Sequence, residues 1–120
     1  MALPHAAAGE IVPAAPLGAA LAEARSHTLV QADGLQIFRL VLRAGQSLAM
    51  HQVPGRLVIQ CLDGAFEFET MGRRLPMQPG DLCHIAPHAP HAVHAQQPAS
   101  ALVFLFGPAT HHPHPTEDTP

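Results

Sequence analysis

The sequence lacks tryptophan, tyrosine and lysine, and it contains only two cysteines. All six basic residues are arginines in a chain of net charge −3, so no basic stripe exists to neutralise a phosphate backbone. We therefore expect no nucleic-acid partner. No apolar run approaches the roughly 20 residues that cross a bilayer, so we expect no membrane partner either.

The beginning of the chain also lacks the features of an export signal. It has no basic stretch, no continuous apolar block and no cleavage pattern. The expected location is therefore the cytoplasm. In that reducing compartment Cys61 and Cys83 are expected to remain free thiols rather than to form a disulfide.

Histidine, by contrast, is abundant. Ten histidines stand beside five phenylalanines in a chain of 120 residues. Because histidine is a common neutral metal ligand and carries protons near neutral pH, the functional residues are best sought among the histidines.

The chain divides into three predicted segments. Residues 1–16 are rich in alanine and proline without a period, and residues 108–120 contain the run HHPHP, so both ends are expected to be flexible. Residues 17–107 are expected to form one domain, since 120 residues support a single core. Within it, apolar residues at helical spacing predict a short helix over Leu17–Arg25.

Short β-prone segments separated by glycine and proline follow from Leu29 onward. Eight strands are predicted, at Leu35–Arg43, Ser47–Val53, Leu57–Leu62, Ala65–Thr70, Arg73–Met77, Leu82–Ile85, His91–Gln96 and Ala101–Phe106. Short strands joined by tight turns avoid long bare edges when they close into a roll of two sheets. The predicted fold class is therefore all-β, a jelly-roll barrel with a short N-terminal helix.

Two stretches have the spacing of known motifs. They are GQSLAMHQVPGRLVIQCLDG, residues 45–64, and PGDLCHIAPHAPHAVHA, residues 79–95. They resemble the two signature motifs of the cupin superfamily, and small bacterial one-barrel cupins of unassigned activity are the most similar. The resemblance covers about residues 35–106. It implies a double-stranded β-helix, the RmlC-like jelly roll of cupins, and a homodimer.

The metal-binding positions of these motifs are only partly kept. His51 matches the first histidine of the first motif, whereas Val53 and Leu57 stand where the family has a second histidine and a glutamate. In the second motif His91 is kept, and His88 occupies a glycine position. The resemblance therefore implies a metal site that has lost two of its first-motif ligands.

The two kept histidines are expected to meet inside the barrel. Side chains two apart on a strand share a face, so His51 points inward, and His91 faces it from another strand. A metal centre needs three or more protein ligands in most cases, and the candidate third ligands are His84, His88 and Cys83. Strand alternation leaves open which of Cys83 and His84 faces inward. The cofactor is one divalent transition metal, Zn, Fe, Mn or Ni, or there is none.

Three functions are compatible with these residues. The first is a small-molecule-binding barrel with a degenerate metal site, sensory or of unknown activity. The second is a metal-dependent enzyme of the dioxygenase, isomerase or decarboxylase class that uses His51 and His91. The third uses either histidine as a metal-free general base. We favour the first because Val53 and Leu57 replace ligands, and an apolar pocket with two imidazoles suits a small, partly apolar or anionic ligand.

Overall fold

A computed structural model describes residues 6–107 of the chain. A 3₁₀ helix, Gly18–Glu23, precedes β1 (His27–Ala32), β2 (Leu35–Leu42), β3 (Ser47–His51), β4 (Arg56–Asp63), β5 (Phe66–Thr70), β6 (Arg73–Met77), β7 (Leu82–Ile85), β8 (His91–His94) and β9 (Ala99–Phe106). These strands form a five-stranded sheet, β1-β2-β9-β4-β7, and a four-stranded sheet, β3-β8-β5-β6. The all-β fold class and the short N-terminal helix are confirmed.

Alternation along the strands builds the core between the two sheets. In β4, Leu57, Ile59 and Cys61 are buried while the residues between them are half-buried. In β5, Phe66 and Phe68 are buried in the same alternating way. Because successive side chains of a strand point to opposite faces, one face of each sheet supplies the core, as in a double-stranded β-helix.

Strand β1 is the element that the sequence pattern does not predict. It pairs with β2 in antiparallel register from Ala32 opposite Leu35, across a turn at Asp33-Gly34 in which the glycine has φ 79°. Only Leu29 of this strand is buried. Since β1 lies at the edge of its sheet, its apolar alternation is weak, and the turn is the stronger sign of a hairpin.

A buried carboxylate on β4 anchors the 3₁₀ helix to the five-stranded sheet. The oxygens of Asp63 accept the backbone N–H groups of Leu17, at 2.9 and 3.0 Å, and Gly18, at 3.0 Å, together with the hydroxyl of Ser100. Burial raises the pKa of Asp63, but these hydrogen bonds and the nearby Arg39 guanidinium outweigh it, and the net pKa is lowered.

Both cysteines are free thiols, as predicted. Burial, with the nearby carboxylates of Asp81 and Asp63, raises the pKa of Cys61 to about 11. A thiol with so high a pKa stays protonated and behaves as a small apolar side chain.

The predicted segment boundaries are not tested by the fold. Residues 1–5 and 108–120, and with them the whole of the predicted flexible tail, lie outside the described residues. Within the predicted N-terminal segment, Ala6 forms an isolated parallel bridge with Val30. No helix in residues 6–107 has the length and apolar character needed to span a membrane.

Candidate functional site

His51 and His91 meet where β3 and β8 run side by side. His51 ends β3, His91 begins β8, and the two residues are direct partners in the antiparallel pairing. Their ring centroids are 4.3 Å apart, with the ring planes inclined by 60°. The structure therefore brings together the two imidazoles expected from the two motifs, and we call them the histidine pair.

The loop of residues 87–90 positions the start of β8. His88 has a positive φ of 64° at the place where the family motif has a glycine, and its N–H donates to the carbonyl of Val53 at 2.8 Å. The hydroxyl of Thr70 donates to the carbonyl of Pro90 at 3.0 Å. These two bonds tie the loop to the chain after β3 and to β5, and so fix the backbone that carries the second histidine of the pair.

Each imidazole is oriented by a nearby backbone carbonyl. Nδ1 of His51 lies 2.8 Å from the carbonyl oxygen of Ala49, and Nδ1 of His91 lies 3.0 Å from that of Ala89. A carbonyl oxygen only accepts, so each Nδ1 carries the proton and each Nε2 carries the lone pair. This tautomer suits Nε2 either to accept a hydrogen bond or to bind a metal.

The two histidines differ in exposure. His91 is 1% exposed, and its ring stacks on Phe68 at a centroid distance of 5.9 Å, whereas His51 is half-buried. Burial lowers the pKa of His91, the hydrogen bond to Ala89 opposes this shift, and the neighbouring His51 adds to it. At neutral pH His91 is therefore an uncharged base.

The interior next to His91 is nearly filled. A cavity of about 10 Å³ is lined by this imidazole, by Phe68 and by six aliphatic side chains from β2, β3, β4, β8 and β9. Such a volume is about what the centre of a single water molecule needs, and a water needs two or more polar partners. A larger ligand must therefore reach the pair from the side of His51.

The two lost ligand positions belong to the core. Val53 is 4% exposed and Leu57 is 1% exposed, and both pack in the hydrophobic cluster between the sheets. Alkyl groups thus stand where the family motif places an imidazole and a carboxylate.

Burial along β7 shows which of its residues face inward. Ile85 is buried and Cys83 half-buried, whereas Leu82 and His84 are exposed. Nε2 of His84 accepts a hydrogen bond from the guanidinium of Arg56 at 3.2 Å on the exposed side of the sheet. Cys83, not His84, is the one that points toward the core.

None of the candidate third ligands is assembled with the histidine pair. Cys83 is opposite Ile59 on β4, His84 is on the exterior, and His88 is exposed. Across residues 6–107 no three His, Cys, Asp or Glu side chains are grouped so that they could hold a metal ion. Two imidazoles do not fit the three or more ligands of a catalytic transition-metal centre.

The outer face of the four-stranded sheet carries polar contacts that the sequence does not reveal. Nε2 of His94 lies 2.8 Å from a carboxylate oxygen of Glu69, and its Nδ1 lies 3.1 Å from the hydroxyl of Ser47. Alternation from His91 places His94 outside, but its partners come from β3 and β5, and only the strand register brings them together.

Fold and site together define the class: a double-stranded β-helix with a histidine pair on adjacent strands and an otherwise apolar interior. The chain belongs to the cupin family, because residues 38–108, more than half of the chain, match the model of the Cupin domain. No curated protein matches the chain by sequence.

Several solved structures share the fold. A conserved protein of unknown function from Streptococcus pyogenes is 20% identical, with a TM-score of 0.69 over 91% of this chain and 96% of its own. KdgF from Halomonas sp. is 25% identical, with a TM-score of 0.64 over 70% of this chain and 77% of its own. DMSP lyase DddQ from Ruegeria pomeroyi is 26% identical, with a TM-score of 0.65 over 72% of this chain. The match spans 49% of DddQ, about half of its length.

Proposed function

We propose that the protein is a small-molecule-binding cupin in which His51 and His91 contact the ligand and no catalytic metal is held. The observation that carries this proposal is the setting of the histidine pair. Two oriented imidazoles meet while their motif companions, Val53 and Leu57, are buried alkyl groups. The site offers the lone pairs of two Nε2 atoms to a ligand, but it has fewer protein ligands than a catalytic metal centre needs.

The orientation of the two rings and the lowered pKa of His91 indicate the ligand class. Because Nδ1–H of each ring is directed at a carbonyl, Nε2 is the acceptor. The lowered pKa of His91 keeps its ring uncharged at neutral pH. A ligand that donates a hydrogen bond, such as a hydroxyl compound or an amide, therefore suits the pair better than an anion. Of the partly apolar or anionic ligands that the sequence suggests, the anionic ones are therefore disfavoured.

Phenol and anisole provide a matched pair of probes, because they have similar shape and only phenol carries an O–H donor. Long-range ¹H–¹⁵N NMR spectra of the imidazoles report the Nε2 atoms of His51 and His91 directly. We expect phenol to shift these resonances and to bind about two- to tenfold more tightly than anisole, which is the range of one neutral hydrogen bond.

The same titration is repeated with two variants. His51→Leu removes the acceptor and is expected to lower the preference for phenol, whereas His94→Leu, on the outer face of the sheet, is expected to keep it. Equal affinities of the two probes, or an unchanged preference in His51→Leu, would reject the proposed ligand contact.

Metal content separates this proposal from its alternative. Full-length protein with the tail histidines 111, 112 and 114 replaced by alanine is incubated with Zn²⁺, Fe²⁺, Mn²⁺ or Ni²⁺, desalted and analysed for metals. We expect well under one ion per chain, with no change in His51→Ala, because two imidazoles bind such ions weakly. Stoichiometric metal that His51→Ala abolishes would overturn the proposal.

The alternative function is a metal-dependent cupin enzyme of the dioxygenase, isomerase or decarboxylase class that uses His51 and His91. It is favoured by the 26% identity to a protein whose name is that of a lyase. It requires a third donor that the described residues do not bring to the pair. Zn, Fe, Mn or Ni would be its cofactor, and retained metal in the experiment above is its signature.

The proposal includes a cytoplasmic homodimer. The dimer rests on the family resemblance, and the cytoplasmic location on the sequence alone. Light scattering on the purified protein is expected to give twice the mass of the chain, and a mass of one chain at micromolar concentration would remove the dimer from the proposal.

A further inference from the structure

A cleft opens between the last strands of the two sheets. β6 ends the four-stranded sheet and β7 ends the five-stranded sheet, so the two strands are neighbours along the chain but belong to different sheets. The turn between them is closed by two bonds: the N–H of Gln78 donates to the carboxylate of Asp81, and the N–H of Asp81 donates to the carbonyl of Gln78, each at 2.9 Å. The turn thereby fixes one end of the cleft and places a carboxylate there.

The cleft has a volume of about 210 Å³, whereas the cavity beside His91 has about 10 Å³. An apolar cavity of about 150 Å³ accepts benzene. The cleft therefore has room for one six-membered ring with a short substituent, whereas the cavity beside His91 does not.

The side chains that line the cleft are apolar apart from one carboxylate. They belong to Leu75, Pro76, Leu82, Cys83 and Asp81, with Phe68 and Met77 nearly buried beneath them. Leu82 is 63% exposed, which is unusual for a large apolar side chain and leaves an apolar rim in contact with water. Asp81 is the one charged group in this lining.

The thiol of Cys83 contributes to the apolar wall. Burial raises the pKa of Cys83, against the opposing effect of a backbone hydrogen bond from His84. A protonated thiol is a soft, polarizable contact rather than a nucleophile, so reversible binding is the chemistry that these walls support.

We propose that the cleft between β6 and β7 is a binding site for a small monocyclic amine. The ring packs against Leu75, Pro76 and Leu82, above the nearly buried Phe68 and Met77, and the ammonium group contacts the carboxylate of Asp81. Volume selects a single ring, and charge complementarity selects a cation over an anion. The cleft shares Phe68 with the cavity beside His91, but the proposal does not depend on the function proposed for the histidine pair.

Benzylamine is the probe, with benzyl alcohol as its neutral counterpart and benzoate as its anionic one. Amide NMR spectra of the full chain are recorded during each titration. Benzylamine is expected to give saturable shifts concentrated at residues 75–83, with an affinity about two- to fivefold higher than that of benzyl alcohol, which is the range of a partly exposed ion pair. Benzoate is expected to bind most weakly. No saturable shift below about 20 mM, or saturable shifts that leave residues 75–83 unaffected, overturns the proposal.

Asp81→Asn and Asp33→Asn form a matched pair of variants. The amide oxygen introduced at position 81 still accepts from Gln78, so the turn keeps its closure, whereas Asp33 lies in an exposed turn away from the cleft lining. Asp81→Asn is expected to make the affinities of benzylamine and benzyl alcohol equal, and Asp33→Asn to leave their ratio unchanged. If benzylamine still binds more tightly than benzyl alcohol in Asp81→Asn, or if Asp33→Asn makes the two affinities equal, the role of Asp81 is rejected.

A second copy of the chain is the competing occupant of the cleft. In that case the amide resonances of residues 75–83 shift with protein concentration when no probe is present, and benzylamine lowers the mass measured by sedimentation. We expect neither effect, and observing both would replace the ligand site by an interface.

Discussion

The imidazole of His91 combines burial with a fixed tautomer. The ring is enclosed by Phe68 and aliphatic side chains, and its Nδ1–H is directed at the carbonyl of Ala89. Protonating such a ring places a charge among apolar groups, which is why its pKa is lowered. The same burial that makes His91 a neutral acceptor therefore makes the folded protein sensitive to acid.

The stability of the protein is expected to fall as the pH drops below about 6.5, the ordinary pKa of histidine in an unfolded chain. In that range the histidine of the unfolded chain binds a proton while His91 of the folded protein stays neutral. The contribution of His91 to the free energy of unfolding is therefore complete above about pH 6.5 and is lost as the pH falls toward the lowered pKa of the folded state. Urea unfolding between pH 5 and 8 measures it. His91→Gln should flatten this slope, and a slope that survives in His91→Gln would contradict the assignment.

The lost ligand positions can be tested by restoring them. The double variant Val53→His with Leu57→Glu is expected to be less stable than the wild type by about 3 kcal/mol without metal, because it buries polar groups in the core. Zn²⁺ at about 100 times its dissociation constant should return about 2.7 kcal/mol. Thermal unfolding with and without Zn²⁺ measures both effects. Adding His51→Ala leaves three ligands instead of four and should weaken the rescue at the same Zn²⁺ concentration, and a rescue that is unchanged would mean that zinc binds elsewhere.

At the scale of secondary-structure elements, the side chain of Asp63 joins the start of the 3₁₀ helix to the barrel. Asp63 reaches the backbone at Leu17 and Gly18 and is shared with Ser100 on β9. The 3₁₀ helix itself contains no buried residue. Its place on the sheet therefore depends more on these hydrogen bonds than on hydrophobic packing.

Asp63→Ala is expected to destabilise the protein by about 3 kcal/mol, because it leaves the Ser100 hydroxyl and the Arg39 guanidinium buried without the carboxylate. The amides of Leu17 and Gly18 should then exchange with solvent much faster. Urea unfolding and hydrogen exchange measure the two effects. Asp33→Ala, the other Asp-Gly turn and an exposed one, is the control and should change stability by less than about 0.5 kcal/mol.

The elements also show where sequence patterns stop being informative. The strands that contribute alternating residues to the core, such as β4 and β5, are predicted within one or two residues of their ends, because burial on one face imposes the pattern. β1 buries one residue fully and is missed. Asp63 is read as part of a turn because its partners are 37 and 46 residues away, and no local pattern encodes them.

For the whole molecule, one hydrophobic cluster connects the two sheets. It contains Phe38, Leu40 and Leu42 of β2 together with Phe66 and Phe68 of β5, which are in different sheets. If one sheet unfolds, the core side chains of the other sheet become exposed to water. The histidine pair, which is in contact with this core through Phe68, should be lost with it.

Unfolding is therefore expected to be a single cooperative transition. Far-UV circular dichroism and the NMR resonances of the His51 and His91 rings should give the same urea midpoint, with an m-value of about 1 to 3 kcal/mol/M. Because the chain has no tryptophan or tyrosine, ring NMR replaces fluorescence as the tertiary probe. A site that disappears well before the β-sheet signal would show that the histidine pair lies in a separately unfolding unit.

The sequence by itself determined the all-β class, the cupin family, and the two histidines to be examined, because turn residues, alternation and motif spacing are local properties. It also located Val53 and Leu57 at the lost ligand positions. Only the tertiary structure decided that Cys83 rather than His84 faces inward, that Asp63 holds the helix, and that a cleft separates β6 from β7. These depend on strand register and on contacts between residues far apart in the chain, which a linear pattern does not contain.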